Sequence, residues 1–334
     1  MIKQIIHVML YFVLFTCLIL NIRVNQLSIQ TLTERDFQLV IPYGQPKKLV
    51  ATSFIQQGIL TNELDFFIID RLLAGKNILK AGTYTFNTPY SIEQIFQRLY
   101  AGKVDQYQIT IPEGLTKRQI LNLLQENLNL SGYVTTEYFN SLQEGALLPE
   151  TYYFPLLYDR QQLLLRMEQA MQQFLEANWR KGSVDKSIIK TAQEALVLAS
   201  IIEKETGLDE ERARVSAVFI NRLRIKMRLQ SDATVLYGIT LGEYEFARAL
   251  KKEDLRRDTP YNTYTNFGLP PTPIANPGKA SILAALNPIQ SKELFFVANG
   301  RGGHFFAETL EQHNRNIQEW LKIIRPNQPS NTQQ

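Results

Sequence analysis

The stretch LASIIEKETG, Leu198 to Gly207, decides how this chain reads. It continues an apolar run that begins at Ala192 and closes it with two carboxylates, Glu203 and Glu205. Ala192 to Ile202 is apolar on nearly every helical face, as expected of a helix buried on all sides at the hub of a fold. Burying a carboxylate is costly unless something compensates, so an acidic residue at the end of such a helix is either solvated or chemical machinery. Residues two apart on a helix point about 200° away from each other, so the two glutamates cannot share one pocket. Glu205 continues the Leu198, Ile201 and Ile202 face and Glu203 the Leu196, Ala199 and Ser200 face, and this pattern alone does not choose between them. Position favours Glu205, the last acidic residue before Thr206 and the helix-stopping Gly207, where a side chain leaves the core while staying partly desolvated. A carboxyl so placed should have a raised pKa and serve as a general acid. The competing reading pairs both glutamates with Lys204, Arg212 or Arg214 on a solvated face.

Working outward, 334 residues with 45% hydrophobic content suffice for one large domain or two smaller ones. A net charge of +4, from 36 basic and 32 acidic residues, creates no strong field to attract nucleic acid. From Ile5 to Ile22 the chain reads IIHVMLYFVLFTCLILNI, free of charged side chains and bracketed by Lys3 and Arg23, which predicts a single transmembrane anchor. One positive charge on each flank leaves its orientation open. The residues around Cys17 are too large for a lipoprotein or signal-peptidase site. Cys17 is the only cysteine and His7, His304 and His313 the only histidines, so no metal site is expected and a Ser-His-Asp triad is poorly supplied with parts.

Residues 36–105 read as a small α/β module. FQLVIPYG alternates like a strand, KLVATSFIQQGIL has helical spacing, LKAGTYTF alternates again, and SIEQIFQRLYAG opens with Ser91 as a helix cap. Residues 106–325 form a larger mixed α+β domain around the buried helix, entered through YQITIPEGLTKRQILNLLQENL. YNTYTNFGLPPTPIANPG is loop chemistry, and KELFFVANGRGGHFFAETLEQHNRNIQEWL reads as a hairpin followed by a final helix. Residues 1–25 are then a cytoplasmic stub with the anchor, and 326–334 a disordered tail.

Four stretches in fixed order, LASIIEKETG, VFINRLRIKMRLQSDATVLYG, YNTYTNFGLPPTPIANPG and FFVANGRGGHFFAETLEQHN, resemble the successive motifs of the endolytic murein lytic transglycosylases, the YceG-like family. IPYGQ, LKAGTYTF, LYAGKV and TIPEGLT are similar to that family's LysM-like module and its link to the catalytic domain, so the resemblance runs from about Phe37 to Leu321. It implies an α+β enzyme, anchored once in the cytoplasmic membrane with its catalytic domain in the periplasm. Such an enzyme cuts nascent peptidoglycan strands between N-acetylmuramic acid and N-acetylglucosamine and leaves 1,6-anhydromuramic ends. No cofactor is implied, and peptidoglycan synthases of the elongation or division machinery are the expected partners.

The family's catalytic glutamate matches Glu205, and Glu205–Thr206 is similar to the Glu-Ser pair of lysozyme-like lytic transglycosylases. Substrate contacts are expected from Glu203, Thr206, Gln230, Ser231, Asp232, Thr234, Tyr261, Asn262, Tyr264 and His304. Each has a plainer alternative: QSDAT as a helix cap, YNTY as a buried tyrosine corner, His304 as a structural histidine. The run Arg222, Arg224, Lys226, Arg228 reads as a solvated or peptide-facing edge. Ala233 stands where the family commonly has proline, and EGALLPETYYFP follows the family pattern only loosely, which puts the groove wall at Glu150 and Tyr152 in question. The chemistry keeps two rivals: a hydrolase using Asp232 as second carboxylate, and a non-catalytic glycan-binding scaffold.

Overall fold

The computed structural model describes residues 36–42, 44–87 and 89–324, residues 31 and 32, and, nearer the start, residues 4, 7–12, 14–16, 18 and 22. The chain divides into two compact units, one of residues 1–108 with 153–156 and one of 109–152 with 157–334.

In the first unit, Phe37–Ile41 pairs antiparallel with Gly82–Phe86, placing Leu39 opposite Tyr84 and Ile41 opposite Gly82. The alternation of the strand turns Leu39 and Ile41 inward and leaves Gln38 and Val40 exposed. Three helices, Lys47–Gln56, Glu63–Leu73 and Ile92–Ala101, supply the other wall. Phe54, Phe66 and Phe96 meet there with ring centroids 5.1 to 5.3 Å apart. The third helix begins with a complete capping box, Ser91 accepting from the Gln94 N–H while Gln94 reaches back to the Ser91 N–H. It ends at Gly102, whose φ of 65° is the left-handed conformation that glycine adopts without a Cβ penalty.

The second unit is built around Ala192–Glu205, in which every residue from Ala195 to Ile202 is buried. It packs against Lys279–Leu286, Asp209–Arg224 and Arg160–Trp179. The small residues Ala195, Ala199 and Ser200 allow that close approach, and the buried Ser200 hydroxyl donates to the Val197 carbonyl at 2.7 Å while accepting from the Ile274 N–H at 3.0 Å. Thr191 caps the start of the helix by accepting from Glu194 N–H. After a helix at Asp232–Thr240 comes the proline-rich loop, held by two fully buried asparagines. Asn262 donates to the Leu255 and Arg257 carbonyls and accepts from Tyr264 N–H. Asn276 donates to the Leu115 carbonyl and to Glu144, and accepts from Leu147 N–H. The hairpin Phe295–Ala298 with His304–Ala307 and the helix Leu310–Ile324 complete the unit.

The fold expected from the sequence is corrected on two points. Among the described residues no helix is long and apolar enough to cross a membrane. A span needs about 20 consecutive apolar helical residues. Of the stretch expected to provide them only residues 7–12, 14–16, 18 and 22 are described; the rest, Cys17 included, lies outside the described residues. The single-pass placement at the cytoplasmic membrane, the membrane contact and the periplasmic location rest on that helix and fall with it. Second, the small module is no closed LysM-like barrel, because its described strands form only two-stranded pairs covered by helices. The expected disordered tail at 326–334 lies outside the described residues.

Candidate active site

Glu205 is the last residue of the central helix. Thr206 turns extended, at φ −144° and ψ 134°, and its hydroxyl accepts from Leu208 N–H at 3.1 Å, which redirects the chain into the next helix. The helix therefore stops at Thr206 without the left-handed cap expected of Gly207, whose φ is not positive.

The Glu205 carboxyl is drawn back into the protein, where the Ser231 hydroxyl donates to Oε1 at 2.5 Å. Burial pushes its pKa up; the bond from Ser231 opposes this, the charge of Asp232 adds to it, and His304 and Arg222 oppose it. A carboxyl of this kind holds its proton at higher pH than an ordinary glutamate and can deliver it to a bound oxygen.

Ser231 reaches Glu205 because two segments are tied together beneath it. Gln230 adopts a positive φ of 53° and its N–H donates to the Thr263 carbonyl at 3.2 Å. Ser231 N–H donates to Thr263 Oγ1 at 3.0 Å, and Thr234 Oγ1 donates to the Ser231 carbonyl at 2.7 Å. Thr234 and Thr263 hydroxyls lie 2.8 Å apart, and Ser231, Thr234 and Thr263 are all buried. Ser231 occupies the N-cap position of the helix Asp232–Thr240, yet its side chain makes no capping bond. A serine there ordinarily contributes about 1 kcal/mol by capping. Here the hydroxyl is turned to Glu205 instead, a local sacrifice of the kind found at functional sites.

Asp232 follows at the exposed start of that helix, and the Tyr264 hydroxyl donates to its Oδ1 at 2.6 Å. Burial, then the bond to Asp232, pushes the Tyr264 hydroxyl up, so it stays a donor. Arg222 is buried: its guanidinium donates to the Leu294 and Leu229 carbonyls at 2.6 and 2.7 Å. Burial lowers its pKa, while Tyr264 and Glu205 counter that. This removes Arg222 from the solvated edge expected of the basic run. On another side, Glu211 binds His304 through both backbone and ring.

Glu205, Thr206, Gln230, Ser231, Asp232, Thr234, Tyr264 and His304 thus belong to one connected region. Glu203 does not: its Oε2 accepts from Gly278 N–H at 2.9 Å, at the N-terminus of Lys279–Leu286. Tyr261 turns its ring against Tyr237, centroids 4.9 Å apart, with its hydroxyl 2.9 Å from that of Thr272. Asn262 is consumed in holding the loop. Glu150 pairs with Lys279, and the Tyr152 hydroxyl donates to the Leu148 carbonyl at 2.7 Å. Lys204 donates to the Gly114 carbonyl, while Arg212 pairs with Asp209 and Glu113 and Arg214 with Glu293, so none of these contacts is made with Glu205. Sequence reasoning missed Glu211, Thr263 and the burial of Arg222. Arg222 was accessible to it, since Val215, Val218, Phe219 and Arg222 fall on one helical face. Among the described residues no group of three His, Cys, Asp or Glu side chains is placed to hold a metal ion.

The profile of the YceG-like family matches residues 39–319. The endolytic murein transglycosylase of Bacillus subtilis is 30% identical over 312 residues, covering 84% of each chain. That of Streptococcus pneumoniae R6 is 31% identical over 320 residues, 84% of this chain and 57% of its own length. A crystal structure of a yceG-like protein of Listeria monocytogenes superposes with a TM-score of 0.51 at 30% identity, covering 85% of this chain and 99% of that one. The residues that converge on Glu205 lie inside the matched span, and the chain belongs to the YceG-like family.

Proposed function

We propose that this chain is an endolytic peptidoglycan lytic transglycosylase in which Glu205 acts first as acid and then as base. The observation that carries this reading is the half-buried Glu205 carboxyl, its pKa raised, held by a serine withdrawn from its helix cap. Glu205 gives its proton to the oxygen leaving C1 of N-acetylmuramic acid as the C1–O bond breaks. The C6 hydroxyl of the same sugar then bonds to C1, and its proton returns to Glu205. No water is consumed, and the released strand carries a 1,6-anhydro end. One carboxyl suffices because the nucleophile belongs to the substrate. Gln230, Ser231, Thr234 and Thr206 support Glu205, while Asp232 and Tyr264 offer polar groups to the sugar.

A hydrolase reading draws on Asp232, whose charge acts on Glu205. It needs a second carboxylate either to trap the sugar or to activate water. The test is mass spectrometry of products from uncrosslinked glycan with the native chain and its Glu205→Gln, Glu203→Gln and Asp232→Asn variants. Anhydro ends abolished only by Glu205→Gln support the lytic mechanism. Reducing ends that require Asp232 support the hydrolase, and binding without cleavage supports a scaffold.

A further inference from the structure

The helix Asp209–Arg224 ends in a way that the proposed chemistry does not explain. Beyond Ile225, the Lys226 N–H donates to the Leu223 carbonyl at 3.1 Å and the Met227 N–H to the Arg222 carbonyl at 2.8 Å, the paired bonds of a Schellman turn. The corner of such a turn is left-handed and usually glycine; here it is Lys226, at a φ of 54°. A side chain held in that conformation lowers stability, and such strain gathers where a ligand is clamped. Lys226 borders a cavity of about 480 Å³ lined also by Leu223, Met227, Phe267 and Gly268. Its lining side chains are apolar apart from Lys226, and none is a carboxylate. Phe267 is 64% exposed, and the Arg228 guanidinium lies 4.6 Å from its ring centroid, which puts a second cation at the rim. Of the basic run, Arg222 is held inside the fold and Arg224 pairs with Asp185 at 3.6 Å. Lys226 and Arg228 are exposed and make no ion pair among the described residues. The cavity adjoins the site: Arg228 is three positions from Ser231 and Phe267 three from Tyr264, at most about 11 Å of chain in each case. The Gln230 N–H bond to the Thr263 carbonyl ties the two segments together.

We propose that Lys226 and Arg228, with the apolar cavity they share with Phe267, form a subsite for the peptide stem of N-acetylmuramic acid and set a preference for stem-bearing over bare glycan. The inference rests on reading this chain as a peptidoglycan enzyme. The lactyl group of that sugar carries a short peptide, whose free carboxylates suit two cations without acidic partners and whose aliphatic side chains suit Leu223, Met227 and Phe267. A strand stripped of its peptides keeps only the lactyl carboxylate and fills none of the apolar wall. The left-handed corner fixes where the Lys226 side chain leaves the backbone, so less freedom is lost when the anion binds.

Two measurements on the full chain test it. Initial rates of anhydro-ended product are compared on uncrosslinked strands with their peptides and on the same strands after an amidase has removed them. The native chain is expected to favour stem-bearing strands through a lower KM, an advantage that shrinks as salt rises. The double variant Lys226→Gly with Arg228→Gln is expected to lose about 3- to 30-fold in kcat/KM on stem-bearing strands and to stay within about twofold on bare ones. Lys226→Gly alone is expected to raise Tm by about 2–4 °C while weakening stem recognition, because glycine relieves the left-handed corner. Equal losses on both kinds of strand assign the cations to the sugar backbone and overturn the subsite. The second measurement is calorimetric binding of an N-acetylmuramyl peptide, which has no glycosidic bond to cut. Native binding that weakens in the double variant supports the subsite; no binding, or equal binding by a folded double variant, overturns it whether or not the chain cleaves glycan. A native dimer that becomes monomeric in Phe267→Ser, with the peptide preference intact, makes the cavity a contact between copies and also overturns it. A native chain that yields no anhydro ends yet binds the muramyl peptide through Lys226 overturns the enzymatic reading and leaves the subsite standing.

Discussion

Replacing Ser231 by alanine removes one hydroxyl from the centre of the site and nothing else of consequence. The lost bond is the 2.5 Å donation to Glu205 Oε1. While Glu205 is protonated this is an ordinary neutral hydrogen bond of about 1 kcal/mol. Once Glu205 has given up its proton, the same hydroxyl faces a charge, and such bonds contribute about 1.5–3 kcal/mol. The variant therefore weakens the ionised state more than the resting one, by about 0.5–2 kcal/mol. At about 1.4 kcal/mol per factor of ten, kcat falls roughly 2- to 30-fold. The sign for pH follows, because Ser231 holds the Glu205 pKa down against burial and its loss lets that pKa rise further. The rate decline at high pH, where Glu205 is already deprotonated, shifts upward. Stability changes little, since the Ser231 side chain caps no helix and alanine forfeits no cap. The expected loss of about 1 kcal/mol lowers Tm by about 2–4 °C. Initial rates of anhydro-ended product across pH, with thermal unfolding alongside, measure both. A folded variant whose kcat and high-pH limb match the native chain refutes the argument.

Glu203→Gln should cost about 1 kcal/mol in urea unfolding, through the weakened bond to Gly278 N–H at a helix N-terminus, and leave product formation within about twofold; a dead enzyme would reverse the assignment of the two glutamates. Gly82→Ala forces a Cβ to 2.2 Å from Val104 Cγ1 at a φ of 145°, so the small unit should lose about 1–3 kcal/mol, read by hydrogen exchange at its strands; unchanged protection there contradicts the packing. His313 stacks on Phe295 at 5.1 Å with a buried Nδ1 that has no partner among the described residues, and burial, aided by Arg222, lowers its pKa below the ordinary 6.5. Its neutral ring contributes fully above 6.5, and stability is lost as pH falls through the lower folded value. His313→Phe should flatten that slope in denaturant titrations at successive pH values, and an identical slope would exclude His313 as its source.

Much of the local structure is legible in the sequence because it depends on near neighbours. The alternation of Phe37–Ile41, the capping box of Ser91 with Gln94 and the all-round apolar character of Ala195–Ile202 are all short-range patterns, and the structure realises each. The anchor expectation came from the same kind of pattern, and hydropathy there did not translate into a described membrane-crossing helix. Residues whose meaning depends on distant partners read poorly. Arg222 looks like one of four exposed basic residues until its carbonyl partners, 72 positions away at Leu294 and 7 away at Leu229, enclose it. Ser231 looks like an N-cap until its hydroxyl turns to a carboxylate 26 residues earlier.

By itself the sequence determined that a helix from Ala192 is buried and that it ends in two carboxylates pointing in opposite directions, since helical geometry and apolar spacing leave no other arrangement. Which surroundings each carboxylate meets was settled only by tertiary structure. Glu203 was given a helix N-terminus, and Glu205 was given Ser231, Asp232 and His304 from segments far along the chain. The physical reason is that proton affinity is set by burial and by the charges and donors within a few ångströms, and those neighbours exist only once the chain has folded.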